Sequence, residues 1–588
     1  MYGLMTKLIA RGKKSRHRRG GGLPPRARPG LEALETRVVP SGNDWSMYNF
    51  DPAGTRDNTA EHILSPNNVS GLHVLWSFPT SGRVAGTPAV VGDSVYAGDD
   101  LGNFYAVSRD GTFLWQTPVN GSVTGSALVV DNTVIFGTHD NTGKVAGTIY
   151  GLDAQTGKVR WQTQPQANDP ESEIWGSATL VGHNVAIGVA TGDEITNPQP
   201  TNPTSRGSLV LLDPHNGHII WQTYIVSDAD HAKGATGAAI WSTPAYDPAL
   251  GLIYAGTGNN YTSPATNTSD AMIAFNAKTG AMVWVNQRTP NDTWDGSVNP
   301  TGGPDADFGD SPHLYTLPGG ESVVGSGDKA GFYWVFDAET GAVVNIHANG
   351  KQGLQIAPGS TLGGLFATAA VDPKTDVVFA NARVPTNDSQ AFPATGALAA
   401  ISGNGLNVLW QMNTPSANQS GVALANGVVY FNSTNGALYA LDEATGALLA
   451  EVPTGGFESG PAVSDGMIFS GQGNFLGAST GKGIVALGLS PVQHGQAPYL
   501  QTNLVSDIQG RAEITDASLK NPWGVSESPT TPSAPGRGSP SPPGASGCRS
   551  ARRTSSRTTP RARPRWARST SRCRSGPRGA GAPGSRPG

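Results

Sequence analysis

The chain has 588 residues, enough for several domains, and its 78 Gly and 44 Pro favour short strands and tight turns over helices. The net charge of -4 averages unlike regions, because residues 1–42 carry ten Lys or Arg and residues 531–588 carry thirteen Arg. Residues 43–530 keep 17 basic and 42 acidic side chains, a net charge of about -25. Such an acidic body excludes a nucleic-acid binder, and no apolar run approaches the ~20 residues that span a membrane.

The N-terminal stretch, MYGLMTKLIARGKKSRHRRGGG, lacks the apolar centre of an ordinary secretory signal. It is followed at 31–40 by LEALETRVVP. Together they resemble an N-terminal export segment common in planctomycete proteins. The resemblance implies export to the periplasm, the cell surface or the medium, and a disordered basic arm over 1–42 is the alternative.

The body of the chain, from about 43 to 489, repeats one phrase. The phrase is a strand, an Asp-x-x-Thr-Gly turn or a variant of it, and a second strand that ends in Trp. Two of the copies, at 334–345 and 439–450, lack the final Trp. Two strand-like runs precede each copy, and four strands per unit is the composition of a propeller blade. The copies are YAVSRDGTFLW (105–115), YGLDAQTGKVRW (150–161), VLLDPHNGHIIW (210–221), IAFNAKTGAMVW (273–284), WVFDAETGAVVN (334–345), LAAISGNGLNVLW (398–410) and YALDEATGALLA (439–450).

The two ends of this region complement each other. LHVLW (72–76) has no strands before it, and GIVALGL (483–489) has no Trp ending. Pairing them would close a ring without an exposed edge. Endings at 76, 115, 161, 221, 284, 345, 410 and 450 predict an all-β, eight-bladed propeller whose tryptophans pack between blades.

The ideal phrase, Ala-x-Asp-x-x-Thr-Gly-Lys-x-x-Trp, resembles the repeat of pyrroloquinoline quinone (PQQ) dependent dehydrogenases. LSPNNVSGLHVLWSF (64–78) resembles their entry strand, and IGVATGDE…SRGSLVLLD (187–213), TPNDTWD and GPDADFGDSPHLYTLPGG (303–320) resemble the polyvinyl-alcohol-dehydrogenase-like branch. The resemblance covers roughly 43–489. Because scaffold propellers without catalytic activity share the repeat, function has to be argued from site residues.

Two stretches carry more specific resemblances. AAIWSTPAYDPALGLIYAGTGNN (238–260) implies that Trp241 stacks under the quinone and that Asn259 is a calcium ligand. RTPNDTWDGS (288–297) implies that Asp295 is the general base and also lies at the metal.

A third stretch, GSGDKAGFYWVFD (325–337), implies that Lys329 faces the quinone oxygens. The family's second acidic ligand precedes an Arg-Gly strand start, which implies Glu194, twelve residues before Arg206, with the neighbouring Asp193 as an alternative. Arg206 is expected to pair either with a PQQ carboxylate or with an acid on its own blade.

Elementary chemistry agrees with these roles. PQQ is a flat polyanion that needs donors and an aromatic partner, and calcium takes oxygen ligands. Plainer explanations exist: Asp295 and Asn259 could serve as turn residues and Lys329 as a solvated lysine. Trp241 does not stand at a blade end, so the repeat does not account for it.

The sequence thus predicts a PQQ- and calcium-dependent dehydrogenase of primary or secondary alcohols, polymers included. Without a Cys-x-x-Cys-His haem motif, electrons would leave to a separate carrier such as a cytochrome c. The alternative is a non-catalytic propeller that acts as an extracellular scaffold or binding module.

The C-terminal remainder differs from the repeats. Residues 490–530 read as a linker or the start of a second, truncated domain, and 531–588 as a disordered tail rich in Arg, Pro, Ser and Gly. The tail is either a translated frameshift or genuine low complexity. It holds the only cysteines, Cys548 and Cys573, so no disulfide is predicted in the propeller.

Overall fold

A computed structural model describes residues 42–490 except 141, 194–201, 297–298, 360–362, 386–393, 457 and 474–480, together with two short strands further on. Contacts divide the chain into two units, Met1–Val492 and Gln493–Gly588. The expected leader and tail lie outside the described residues, so their boundaries stay predictions.

The first unit forms eight antiparallel sheets, the blades of a β-propeller, which confirms the predicted fold class. A 3-10 turn (Val69–Gly71) precedes β1 (His73–Phe78). Blade 1 is β2 (Ala89–Val91), β3 (Ser94–Gly98), β4 (Asn103–Ser108) and β5 (Phe113–Pro118). Blade 2 is β6 (Leu128–Val130), β7 (Thr133–Gly137), β8 (Ile149–Asp153) and β9 (Val159–Thr163). Blade 3 has a short extra strand: β10 (Ser172–Glu173), β11 (Thr179–Val181), β12 (Asn184–Thr191), β13 (Ser208–Leu212) and β14 (Ile219–Tyr224).

The remaining blades follow in chain order, after the short helix α1 (Asp228–His231). Blade 4 is β15 (Ala245–Asp247), β16 (Leu252–Gly256), β17 (Ala271–Asn276) and β18 (Met282–Gln287). Blade 5 is β19 (His313–Thr316), β20 (Ser322–Gly327), β21 (Phe332–Asp337) and β22 (Leu354–Gln355). Blade 6 is β23 (Ala370–Asp372), β24 (Val377–Pro385), β25 (Ala394–Ser402) and β26 (Val408–Thr414).

The last two blades complete the ring. Blade 7 is β27 (Ala423–Ala425), β28 (Val428–Ser433), β29 (Ala437–Asp442) and β30 (Leu448–Pro453). Blade 8 joins β31 (Ala462–Ser464), β32 (Met467–Gln472) and β33 (Gly483–Gly488) to β1, so both ends of the repeat region meet in one sheet as predicted. In the second unit, β34 (Val505–Ser506) pairs in parallel with β35 (Ile514–Thr515). Within the described residues no helix is long and apolar enough to cross a membrane.

The blade-end tryptophans join neighbouring blades, as expected. Each indole N–H donates to a backbone carbonyl near the turn between the third and fourth strands of the next blade, at 2.7–3.1 Å. Each ring covers a glycine of that turn so closely that a Cβ there would lie 2.4–2.8 Å from it. The ring–glycine pairs are Trp76–Gly111, Trp115–Gly157, Trp161–Gly217, Trp221–Gly280, Trp284–Gly341 and Trp410–Gly446.

The two endings without tryptophan have structural reasons. Ala450 faces blade 8, whose outer strand β1 comes from the start of the repeat region, so no turn glycine is there to cover. At Asn345 the expectation that the phrase continues into the outer strand was wrong. The Asn345 side chain bonds the backbone of Tyr333 and Val335, and the outer strand of blade 5 is the later β22.

A segment before the first strand, residues 44–58, covers the inner edges of the blades, and we call it the strap. The innermost strand of each blade has one neighbour in its sheet. In six blades the N–H of a residue near the middle of this strand donates to a backbone carbonyl of the strap. The pairs are Val90 to Trp45, Val129 to Ser46, Tyr246 to Pro52, Leu314 to Ala53, Val371 to Thr55 and Leu424 to Arg56, at 2.7–3.0 Å. The strap therefore closes one end of the axis.

We predict that Gly280→Ala destabilises the fold more than Gly251→Ala. Both glycines belong to blade 4 and have positive φ, +73° and +68°, so each alanine incurs a left-handed strain of about 1–2 kcal/mol. Only at position 280 would the new Cβ meet the Trp221 ring, at 2.6 Å, whereas nothing lies within 4 Å at position 251. The clash should add about 1–3 kcal/mol. Denaturant unfolding measures both variants, and equal losses would show that the tryptophan contact is loose.

We predict that a carboxyl cluster formed by Asp57 of the strap with Asp372 and Glu443 makes the free energy of unfolding fall as pH rises. Burial first, and then Asp372, raises the pKa of Asp57 to about 7 and that of Glu443 to about 8, against ordinary values of 3.8 and 4.5. Lys374 opposes both shifts. Between about pH 4 and 8 the folded state binds more protons than the unfolded chain, so this contribution to stability is lost across that window.

The test of this pH dependence is Glu443→Gln. The variant should lose less stability than the wild type between pH 5 and pH 8, measured as unfolding free energy in buffers of matched ionic strength. Parallel pH profiles for the two proteins would contradict the proposed shift.

Candidate functional site

The hydrogen bonds around the segment that precedes β15 show where Trp241 lies along the propeller axis. Ala238 N–H donates to the carbonyl of Asn259 at 2.7 Å, and Gly258 N–H donates to that of Ala239 at 2.9 Å. Five residues beyond Trp241, the N–H of Tyr246 donates to the strap. Trp241 therefore lies between the Asn259 level and the strap.

A hydrogen bond from Asn259 to the residue before Asp295 brings these two predicted site residues near each other. The Asn259 amide donates to the carbonyl of Trp294 at 2.5 Å, and Asn259 is 2% exposed. Asp295 follows directly and is fully buried, in a small loop closed by its backbone bonds to Asn299. The expected base and an expected metal ligand thus come together from blade 4 and the loop after it.

Asp307 links Asn259 to Lys329. One Asp307 oxygen accepts the backbone N–H of Asn259 at 3.0 Å, and the other accepts the Lys329 ammonium at 3.3 Å. The Asp307 carbonyl also accepts Lys329 N–H at 2.9 Å. Asp305 binds the same ammonium at 2.5 Å. Lys329 is therefore no solvated lysine, and two of the predicted site residues, Asn259 and Lys329, meet at one aspartate.

Asp305 and Asp307 belong to a buried acidic cluster that the sequence interpretation missed. Asp270 is fully buried, with no hydrogen bond to either carboxyl oxygen among the described residues. Burial first, then the neighbouring aspartates, raises its pKa well above the usual range. Burial, opposed by Lys329, raises the pKa of Asp305 to about 7. With Asp292, four carboxyls lie in one cluster, and two of them, Asp305 and Asp307, hold the Lys329 ammonium. The raised pKa values of Asp270 and Asp305 mean that these two carboxyls keep protons near neutral pH. The only sequence signal was the Asp-Ala-Asp of residues 305–307.

Glu194 lies outside the described residues, so its role as second acidic ligand stays a prediction. Its neighbour Asp193 is buried and accepts the N–H of Ser205 at 3.0 Å. Thr191, at the end of β12, bonds the hydroxyl of Tyr261 at 2.7 Å, which brings the strand before Glu194 to the loop that follows Asn259.

Arg206 takes the second of its two expected partners. Its guanidinium donates to Asp228 at 2.6 Å and to the carbonyl of Val226 at 2.8 Å. It also lies 3.9 Å above the ring of Tyr224. These contacts hold Arg206 on its own blade, so the expectation that it binds a PQQ carboxylate has no support in this geometry.

A cavity of about 140 Å³ lies on the axis. Trp241, Trp175, Phe366 and hydroxyl side chains from several blades line it. The hydroxyls of Thr124, Ser126 and Ser242 are buried without a hydrogen-bond partner among the described residues. A ligand rich in acceptors beside an aromatic ring, such as PQQ, fits this set. The space holds only a few waters at about 30 Å³ each, so a tricyclic quinone could enter it only in part.

A calcium site in this region would need ligands of more than one residue type. Among the residues that the structure describes, no three His, Cys, Asp or Glu side chains are placed to hold a metal ion. The side-chain oxygen of Asn259 accepts no hydrogen bond from them, and Asp295 is beside it. A calcium site here would therefore combine an amide oxygen with Asp295 and Glu194.

The fold and the site define a quinoprotein-type propeller, and comparison with known proteins agrees. The chain belongs to the PQQ_2 family, whose model, described as outer membrane protein assembly factor BamB, matches residues 73–344 and 394–488. It is 29% identical over 336 residues to a polyvinylalcohol dehydrogenase of a Pseudomonas species, covering 53% of this chain and 50% of the relative. It is 27% identical over 505 residues to that of Sphingopyxis sp. (strain 113P3), covering 75% and 74%.

A solved structure shows the same fold. The quinohemoprotein alcohol dehydrogenase ADHIIG of Pseudomonas putida HK5 superposes with a TM-score of 0.62 at 19% identity, over 79% of this chain and 83% of that one. The chain is thus a relative of PQQ-dependent polyvinyl alcohol and quinoprotein alcohol dehydrogenases. It spans only half of the length of the first relative.

We predict that Asp307→Asn lowers the affinity for added Ca²⁺ and PQQ, because the Asn259 loop and Lys329 each lose a contact to a carboxylate. Loss of a carboxylate that orients ligands typically lowers metal affinity or activity by about 10–100-fold. Calorimetric titration with Ca²⁺ in the presence of PQQ measures the change.

The matched control is Asp310→Asn. Asp310 belongs to the same segment and is also buried, at 1% exposed against 5% for Asp307. It accepts two backbone N–H groups, and neither comes from Asn259 or Lys329. Equal affinity losses in both variants would mean that Asp307 acts only through stability.

Proposed function

We propose that this protein is a PQQ- and calcium-dependent dehydrogenase of primary or secondary alcohols. The observation that carries the proposal is the linkage of Asn259, Asp295 and Lys329 through Asp307 and the Trp294 carbonyl. A scaffold propeller has no need to bring these side chains together.

The cofactor would be held by groups of three kinds. The ring of Trp241 offers a flat face, and its edge is fixed because it packs against Gly309 so closely that a Cβ there would clash with it. Buried hydroxyls such as that of Ser126, which has no hydrogen bond within the described part of the chain, would supply donors for carboxylates. Lys329 supplies a cation whose position is set by Asp305. When bound, PQQ supplies the acceptor for the hydride of the alcohol.

Asp295 is the proposed general base. It is fully buried next to Trp294, so water is kept from its carboxylate. A buried carboxylate held in this way can take the hydroxyl proton of an alcohol at its oxygen. Calcium would be held by Asn259, Asp295 and Glu194, and as a Lewis acid it would polarise the oxygens that it binds.

Substrate, acceptor and location are parts of the same proposal. The relatives named polyvinylalcohol dehydrogenases support secondary hydroxyls of a polymer as one candidate substrate. A separate carrier such as a cytochrome c would take the electrons. The basic N-terminal segment supports export.

The competing function is a binding or scaffold propeller, favoured by the family description as an assembly factor. The two are separated by adding PQQ and Ca²⁺ to the purified protein, recording the absorbance spectrum, and screening alcohols with an artificial electron-accepting dye. A scaffold would neither take up the quinone nor reduce the dye.

We predict that Asp295→Asn keeps the quinone but loses turnover by a factor on the order of 10²–10⁴, as expected for a lost general base. The absorbance of bound quinone and the dye-linked rate are measured on the same sample. Full dye-linked activity in the variant would refute the dehydrogenase mechanism.

A further inference from the structure

A second tryptophan, Trp175, stands in blade 3 where Trp241 stands in blade 4. Both come two residues before a hydroxyl residue, and those two residues are joined directly: Ser177 N–H donates to the Thr243 hydroxyl at 3.1 Å. Both rings line the same axial cavity. Trp175 and Trp241 therefore stand at equivalent positions of neighbouring blades and at one level of the axis.

Trp175 is held on two sides. Its indole N–H donates to the carboxylate of Glu173, and its ring stacks on His139 with centroids 4.1 Å apart and planes at 19°. Glu173 is fully buried and its other oxygen has no hydrogen bond among the described residues. A buried acid that serves one indole is costly for the fold, which points to a role beyond packing.

The blade-end tryptophans show what a purely structural indole does in this fold. Trp221, for example, donates to the backbone carbonyl of Ala277 in the next blade and covers the turn glycine Gly280. The contacts that the described residues give Trp175 are of another kind. It donates to a side chain and lies on a cavity.

The lining of the cavity suggests the shape of the ligand. A single indole offers two fused rings, so a three-ring ligand overhangs it, whereas Trp175 and Trp241 together bring aromatic side chains from two neighbouring blades to one cavity. We propose that Trp175 is a second stacking residue for a flat, fused-ring ligand and that Glu173 is the residue that positions it. The inference rests on the proposed function, since the ligand it names is the quinone.

The test titrates the full-length protein without cofactor, in Ca²⁺, with PQQ and follows tryptophan fluorescence. Trp175→Ala should raise the dissociation constant about tenfold, the scale of one lost aromatic contact. Trp221→Phe is the matched control: it removes one tryptophan of the fold and should leave the dissociation constant unchanged. Unchanged affinity in Trp175→Ala overturns the inference.

The positioning role of Glu173 has its own pair of variants. Glu173→Leu removes the acceptor and should weaken quinone binding several-fold, whereas Glu173→Gln keeps an oxygen for the indole N–H and should restore it. Equal binding by the Leu and Gln variants would refute the role.

A measurement on the wild type covers the case in which Trp175→Ala does not fold. In protein labelled with 5-fluorotryptophan, the Trp175 resonance, assigned with Trp175→Phe, should shift on adding PQQ while that of Trp221 stays in place. A Trp175 resonance that does not move overturns the inference. If the wild type binds no quinone, both the proposed function and this inference are wrong. If it binds quinone but the Trp175 resonance and the Trp175→Ala affinity do not change, only this inference is wrong.

Discussion

The innermost strands of a propeller each have an edge without a partner in the sheet, and a buried backbone N–H left without an acceptor costs about 1–3 kcal/mol. The strap meets this requirement, because its carbonyls accept one N–H from each of six blades. Covering these edges also closes one end of the axis. Tyr48 of the strap lines the axial cavity. The same segment that supplies acceptors to the inner strands therefore also limits the space that a ligand can occupy.

The electrostatics of the site follow from crowding carboxylates around a single cation. Lys329 cannot be treated as a lone positive charge, because Asp305 and Asp307 hold its ammonium and Asp270 lies close behind. This arrangement keeps the lysine in place and neutralises it locally. Asp307 also connects Lys329 to Asn259, so a change at either residue can reach the other through the Asp307 carboxylate.

Tryptophan serves this fold in two ways that the amino-acid type alone does not separate. At blade ends, Trp115 and its equivalents are fixed by a glycine turn and a backbone carbonyl, so their surroundings come from the repeat. Near the axis, Trp175 and Trp241 stand before the inner strands, and their surroundings come from several blades at once. The first kind stabilises the ring of blades, and the second shapes its cavity.

The sequence by itself determined the propeller, its eight blades, the closure by β1 and β33, and the packing of the tryptophans, because each of these is written in a local phrase that recurs. The resemblance also singled out Trp241, Asn259, Asp295 and Lys329. Tertiary structure decided the rest. The strap, the Asp305–Lys329 pair, the link from Asp307 to Asn259 across 48 positions, and the choice of Asp228 as partner of Arg206 all depend on which loops meet at the axis or on a blade. The reason is physical: a repeat fixes the contacts within a blade, whereas contacts between inner loops depend on how the blades are arranged around the ring.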